Sequence, residues 1–175
     1  MELFTGEPLA LDFVNTLTSE FDALDDPDVW LGLQAERLVP PSRPLTAPDL
    51  AAVRVLRDHV RAAVDAVRHG APPPRAAIDA LNRAVRAAPA YRVLDLDLRV
   101  FTHRDGDGRD RLLAQLAEAA VELLADPNAS RIRACEGPQC RMLFLSTHPK
   151  RRWCSPALCG NRVRVARYYQ RHKAN

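Results

Sequence analysis

The chain has 175 residues, 47% of them apolar, which is enough to bury a core as one medium domain or a domain with a small appendage. No stretch approaches the ~18 apolar residues of a membrane span, and residues 1–15 lack the basic start of a secretory leader, so no membrane is expected and the location is predicted to be cytoplasmic. The net charge of +3 is unevenly divided: residues 131–175 carry eleven Lys or Arg and one acid, Glu136, whereas residues 1–130 carry fourteen bases and twenty-one acids, so an acidic body precedes a basic tail suited to a polyanion.

Arginine outnumbers lysine 23 to 2, and Ala and Pro are abundant, a composition that points to a high-GC bacterial genome. Pro8 can open a short helix with Leu9, Phe13 and Leu17 on one face. Asp12 and Asn15 lie on another side, and two readings stay open for them: partners of neighbouring backbone or solvent, or polar contacts in a ligand-binding pocket. Between Phe21 and Pro44 the pattern is broken by Asp-Asp-Pro and Pro-Pro, with a short helix expected from Asp28 and Trp30 in the core.

Thr46-Ala47-Pro48-Asp49 is a capping-box-like start for a long helix that stops at Gly70, and Leu50, Val53, Leu56, Val60, Val64 and Val67 form its buried stripe. After three prolines a second helix is predicted over 75–88. Residues 93–100 alternate as strands with one buried face do, giving a hairpin or one extended strand. Asp105-Gly106-Asp107-Gly108 is a turn, and the later oxygen ligands of a calcium loop do not follow it. A final helix from Asp110 carries Leu112, Leu116, Ala120 and Leu124 and ends near Asp126-Pro127, the expected boundary between a body, residues 1–130, and a tail, residues 131–175.

The tail holds every cysteine, as two C-x4-C pairs: Cys135 with Cys140, and Cys154 with Cys159. Four clustered thiols fit a tetrahedral site for one structural Zn²⁺; two disulfides, unrelated buried thiols and an iron–sulfur site are the alternatives. Gly137 and Pro138 can turn the first pair toward one metal. Ser155 is a good N-cap and Pro156 a good first helical residue, which puts Cys154 and Cys159 at the two positions that meet in a hydrophobic staple. With strands at 131–133 and 142–145, the tail takes a treble-clef-like order of knuckle, hairpin and helix. The expected fold is therefore mainly α with minor β: a helical N-terminal domain and a small zinc finger.

At 100° per residue the last helix brings Arg164, Arg167 and Arg171 onto one stripe with Gly160, placed to enter a DNA groove. Arg162 points away from that stripe, and two roles stay open for it: bracing the metal loop, or binding DNA phosphate beside the candidate DNA-binding residues Lys150, Arg151 and Arg152. Val163 and Ala166 face the Cys159 side for packing. The five histidines are scattered, and nucleophile, P-loop and dinucleotide signatures are absent, so the chain is not expected to be an enzyme.

The run Cys159-Gly160-Asn161-Arg162, preceded by Arg151-Arg152-Trp153-Cys154, resembles the CGNR zinc finger, and Leu11-Asp12-Phe13-Val14-Asn15-Thr16 is similar to the opening signature of the ABATE-type domain that precedes this finger. Together they cover nearly the whole chain. Met142 and Ser146 stand where the finger more usually has an aromatic residue and an acid. The resemblance implies a stress-related transcription regulator. The functional expectation is a finger that binds double-stranded DNA, joined to a body that senses a small-molecule effector or mediates homodimer formation; the alternative is a structural or redox-sensitive zinc clasp for protein contacts.

Overall fold

The computed structural model describes residues 5–172, except the side chains of Arg167, Gln170 and Arg171. Helix α1 (Leu9–Val14) starts after Pro8, and α2 (Pro27–Leu33) carries Pro27 in its first turn. The capping box forms at α3 (Ala47–Arg68): the Asp49 amide donates to Thr46 Oγ1 at 3.4 Å, and the Thr46 amide donates to the Asp49 carboxylate at 2.9 Å. This helix ends at His69, and Gly70 follows at φ +72°, a conformation that glycine adopts without strain. Helix α4 (Arg75–Ala87) follows the three prolines. Helix α5 (Gly108–Ala125) begins earlier than Asp110 because Asp107 is its cap, accepting from the Asp110 amide at 2.8 Å.

Helices α1, α3, α4 and α5 pack on one another. The buried stripe of α3, including Val53, Leu56, Val60 and Val64, meets Leu11 and Phe13 of α1, Leu81 of α4, and Leu112 and Leu116 of α5. Ala77 and Ala80 are buried beside Leu81, and such small side chains let α4 lie close to its neighbours. Trp30 is in the core as expected, its ring centroid 5.9 Å from that of Phe13. None of the described helices is long and apolar enough to cross a membrane.

Strands β1 (Ala90–Leu94) and β2 (Val100–Arg104) form an antiparallel hairpin with Leu94 opposite Val100. The expected buried face is not found: Leu94, Leu96, Leu98, Val100 and Phe101 are all exposed. Alternation misled because the central residues of the pattern, Asp95 to Arg99, form the hairpin tip rather than a ladder. There Asp95 accepts from the amides of Asp97 and Arg99.

A second antiparallel pair, β3 (Ile132–Ala134) and β4 (Leu143–Leu145), follows a 3-10 turn at Pro127–Arg131. Successive strand residues point to opposite faces. One face puts Ile132 and Leu143 in the body core; Phe144, with Met142 just before the strand, joins the cysteines. The core of the body is thus completed by residues beyond Asp126-Pro127, and one small sheet is shared between the helices and the finger.

Candidate metal centre and its docking to the body

The first cysteine pair sits on the loop between β3 and β4. The Cys140 amide donates to the Gly137 carbonyl at 3.0 Å, closing the turn, and the amides of Gly137 and Cys154 donate to Cys135 Sγ at 3.4 and 3.3 Å. Backbone approaches the sulfurs closely at Gly137, where an added Cβ would lie 3.2 Å from both Cβ and Sγ of Cys159 and 3.4 Å from Cys135 Sγ. A side chain there would press on the sulfurs, and glycine leaves them room.

The second pair follows the expected cap: the Leu158 amide donates to Ser155 Oγ at 3.3 Å. The first turn, however, is a π turn at Pro156–Gly160, with the Gly160 amide bonded to the Ser155 carbonyl at 3.0 Å, before helix α6 (Asn161–His172) continues. Sequence arithmetic at 100° per residue therefore holds from Asn161 onward and not through Cys159. Gly160 packs against Trp153, whose ring an added Cβ would meet at 3.4 Å.

All four sulfurs lie within 4.8 Å of one another, with Cys140 and Cys154 3.9 Å apart and Cys154 and Cys159 3.6 Å apart. A tetrahedron of Zn–S bonds of about 2.3 Å requires S···S separations of about 3.8 Å, so the arrangement fits one zinc ion. All four cysteines are free, which removes the disulfide alternative. Hydrogen bonds from Cys140 and Cys154 hold the Cys135 thiol down at about 2. The bond with Cys135 pushes Cys140 up to about 12 and Cys154 far above the usual thiol range. Four thiolates this close repel one another, and a divalent ion supplies the charge that offsets them. The four cysteines of the CGNR zinc finger are positioned to hold a single structural Zn²⁺, and a site closed by four protein ligands would keep no open position for catalysis.

Asp12 and Asn15, the sequence-level ligand-binding candidates, are engaged within the protein. Asp12 is buried and accepts from the amides of Gly6 and Glu7 at 3.0 and 3.2 Å, and it pairs with Arg37. Asn15 lies against β4: its Nδ2 donates to the Leu143 carbonyl and its Oδ1 accepts from the Leu143 amide, both at 2.8 Å. The side chain pairs with the free edge of β4 as a neighbouring strand would. Glu7, which sequence reasoning missed, continues this edge by accepting from the Leu145 amide at 2.9 Å.

Arg151 is turned inward. Its guanidinium donates to Glu7 at 2.6 Å and to the Cys154 carbonyl at 2.7 Å, and it lies 4.3 Å from the Phe144 ring centroid. These contacts tie the metal loop to the body, so Arg151, expected at phosphate, is engaged within the protein here. Its role depends on Glu7, 144 residues earlier, so no local pattern marked it. Arg152 pairs with Glu136, whose carboxyl this neighbour holds below its ordinary range.

Lys150, Arg162 and Arg164 are exposed, and among the described residues Arg164 donates to the Pro156 carbonyl at 3.5 Å. The side chains of Arg167 and Arg171 lie outside the described residues. The expected packing of α6 is not found: of its described side chains Val163 alone is half-buried, while Val165, Ala166, Tyr168 and Tyr169 are exposed. The helix projects from the metal centre instead of folding back on it.

The model of the ABATE family, described as "Putative stress-induced transcription regulator", matches residues 7–127, and that of the CGNR zinc finger matches residues 131–172. No curated protein matches the chain.

Proposed function

This chain belongs to the ABATE family and carries a CGNR zinc finger, and from that premise we propose that it is a transcription regulator whose finger binds double-stranded DNA. Neither family is an enzyme class. The observation that carries the reading is the charge split: the tail from residue 131 has a net charge of +10 and the preceding residues −7, and Lys150, Arg152, Arg162 and Arg164 of the tail are exposed. Bound zinc supplies the cross-link that sets the loop and the helix start at a fixed angle. Lys150, Arg152 and Arg162 then serve phosphate, and Arg164, Arg167 and Arg171 the groove. Arg151 holds the finger in place. In this reading residues 1–130 are the body and residues 131–175 the DNA-binding unit.

The test is duplex binding by the zinc-loaded protein as a function of salt. Affinity falls linearly on a log–log scale, and Arg162→Ala or Lys150→Ala each lowers the slope by about 0.9 for one lost phosphate contact. Binding that is insensitive to salt, or slopes unchanged in both variants with zinc retained, overturns the reading. A zinc clasp for protein contacts is the second reading, favoured by Val165, Tyr168 and Tyr169, which give α6 exposed apolar surface beside its arginines.

A further inference from the structure

The hairpin β1–β2 leaves the body between α4 and α5 and buries little of its own surface. Leu94 is 59% exposed, Leu98 78%, Val100 51%, and Leu96 102%, as open as in an extended chain. A two-stranded hairpin is marginal in water by itself. This one is held at its base, where Arg104 donates to the Ala88 carbonyl at 2.7 Å and to Glu118 at 2.8 Å. The tip adds a second anomaly. Leu98 sits at φ +60°, where Gly or Asn is the ordinary choice and a leucine is strained. Neither backbone preference nor burial within the chain accounts for a leucine at that position, whereas a surface that covers it does.

The same chain offers such a surface. Between α3, α4 and α5 lies an apolar groove of about 340 Å³, lined by Val55, Leu56, Ala84 and Leu113, with His59 and the cation Arg83 at its side. Val55 on its wall is itself 56% exposed. The tip that carries Leu96 and Leu98 also carries two acids, Asp95 and Asp97, both paired with Arg99 at 3.0 and 2.7 Å, so the tip keeps one net negative charge. Tip and groove therefore match in apolar character and are opposite in charge. The fully exposed Leu96 shows that the arm does not occupy its own groove.

We propose that the hairpin is an exchange arm of a symmetric homodimer, in which Leu96 and Leu98 of each protomer enter the α3–α4–α5 groove of the other. Reciprocal exchange uses the same two patches on both copies and closes at two. The assembly rests on the body alone and is independent of duplex binding. It gives the leucine alternation a purpose that burial inside one chain does not.

Sedimentation equilibrium of the zinc-loaded full chain over a concentration series tests it. The wild type is expected to be a monomer–dimer system. Leu96→Asp on the arm and Val55→Asp in the groove each change an exposed side chain and are expected to weaken the dimer roughly tenfold or more while thermal unfolding of the monomer is retained. Leu98→Gly relieves the positive φ, so it should leave the monomer as stable or more so and still weaken the dimer. An equimolar mixture of Leu96→Asp and Val55→Asp proteins keeps one intact arm–groove pair and should associate more tightly than either variant alone. A monomeric wild type, a dimer unaffected by these variants, a mixture no better than its components, or open-ended growth beyond two copies would each overturn the proposal.

Discussion

Replacing Asn15 by Ala removes both hydrogen bonds that the side chain makes to the Leu143 backbone. Leu143 is fully buried and Asn15 is 4% exposed, so water has little access to the two groups left unpaired. A buried polar group without a partner costs about 1–3 kcal/mol, which puts the pair at about 2–6 kcal/mol, with about 4 as the central expectation. For a chain of this size 1 kcal/mol moves Tm by about 2–4 °C, so a fall of about 8–16 °C is expected. Thermal and urea unfolding of the zinc-loaded protein measure it, and hydrogen exchange locates it through lost protection of the Leu143 amide. Asn15→Asp keeps the acceptor but turns a carboxylate oxygen toward the Leu143 carbonyl, so it should be no better than Ala. A change within about 0.5 kcal/mol, the range of an ordinary surface substitution, would refute the docking role.

Two further outcomes follow from the site and the core. Gly137→Ala forces a methyl group to 3.2 Å from Cys159 Sγ, and it should lower zinc affinity by roughly 10–100-fold, as measured against a competing chelator, while the helices persist; unchanged affinity would mean that the knuckle yields freely. Burial raises the pKa of Asp22, but hydrogen bonds from Arg57, the Leu24 amide and Arg54 outweigh it and hold the carboxyl below its ordinary 3.8. Because the folded value is the lower one, this stabilisation is present above 3.8 and is lost as pH falls through the folded pKa. Asp22→Asn should therefore be less stable than wild type at neutral pH, with the gap closing below about pH 4; a gap independent of pH refutes the assignment.

The features legible in the sequence are those set by residues close together in the chain. The Thr46–Asp49 capping box, the glycine stop at Gly70, the stripe on α3, the Ser155 cap and the four-cysteine set each depend on spacings of a few residues, and each is found as the sequence indicates. Local pattern was weaker where it left several backbones open. Alternation from Val93 to Val100 did not distinguish a half-buried strand from a solvent-exposed hairpin with a leucine-bearing tip, and the π turn after Ser155 rotated α6 away from straight-helix arithmetic.

Other contacts were decided by the tertiary structure alone. Asn15 bonds to a strand 128 residues away, Arg151 reaches Glu7 across 144, and Ile132 and Leu143 complete a core begun by α1. A polar side chain near an apolar helix face has the same sequence signature whether it awaits a ligand or a strand edge. Its partner is fixed only when folding brings an unpaired backbone edge beside it, because a buried hydrogen-bonding group must be satisfied by whatever polar atom the packing delivers.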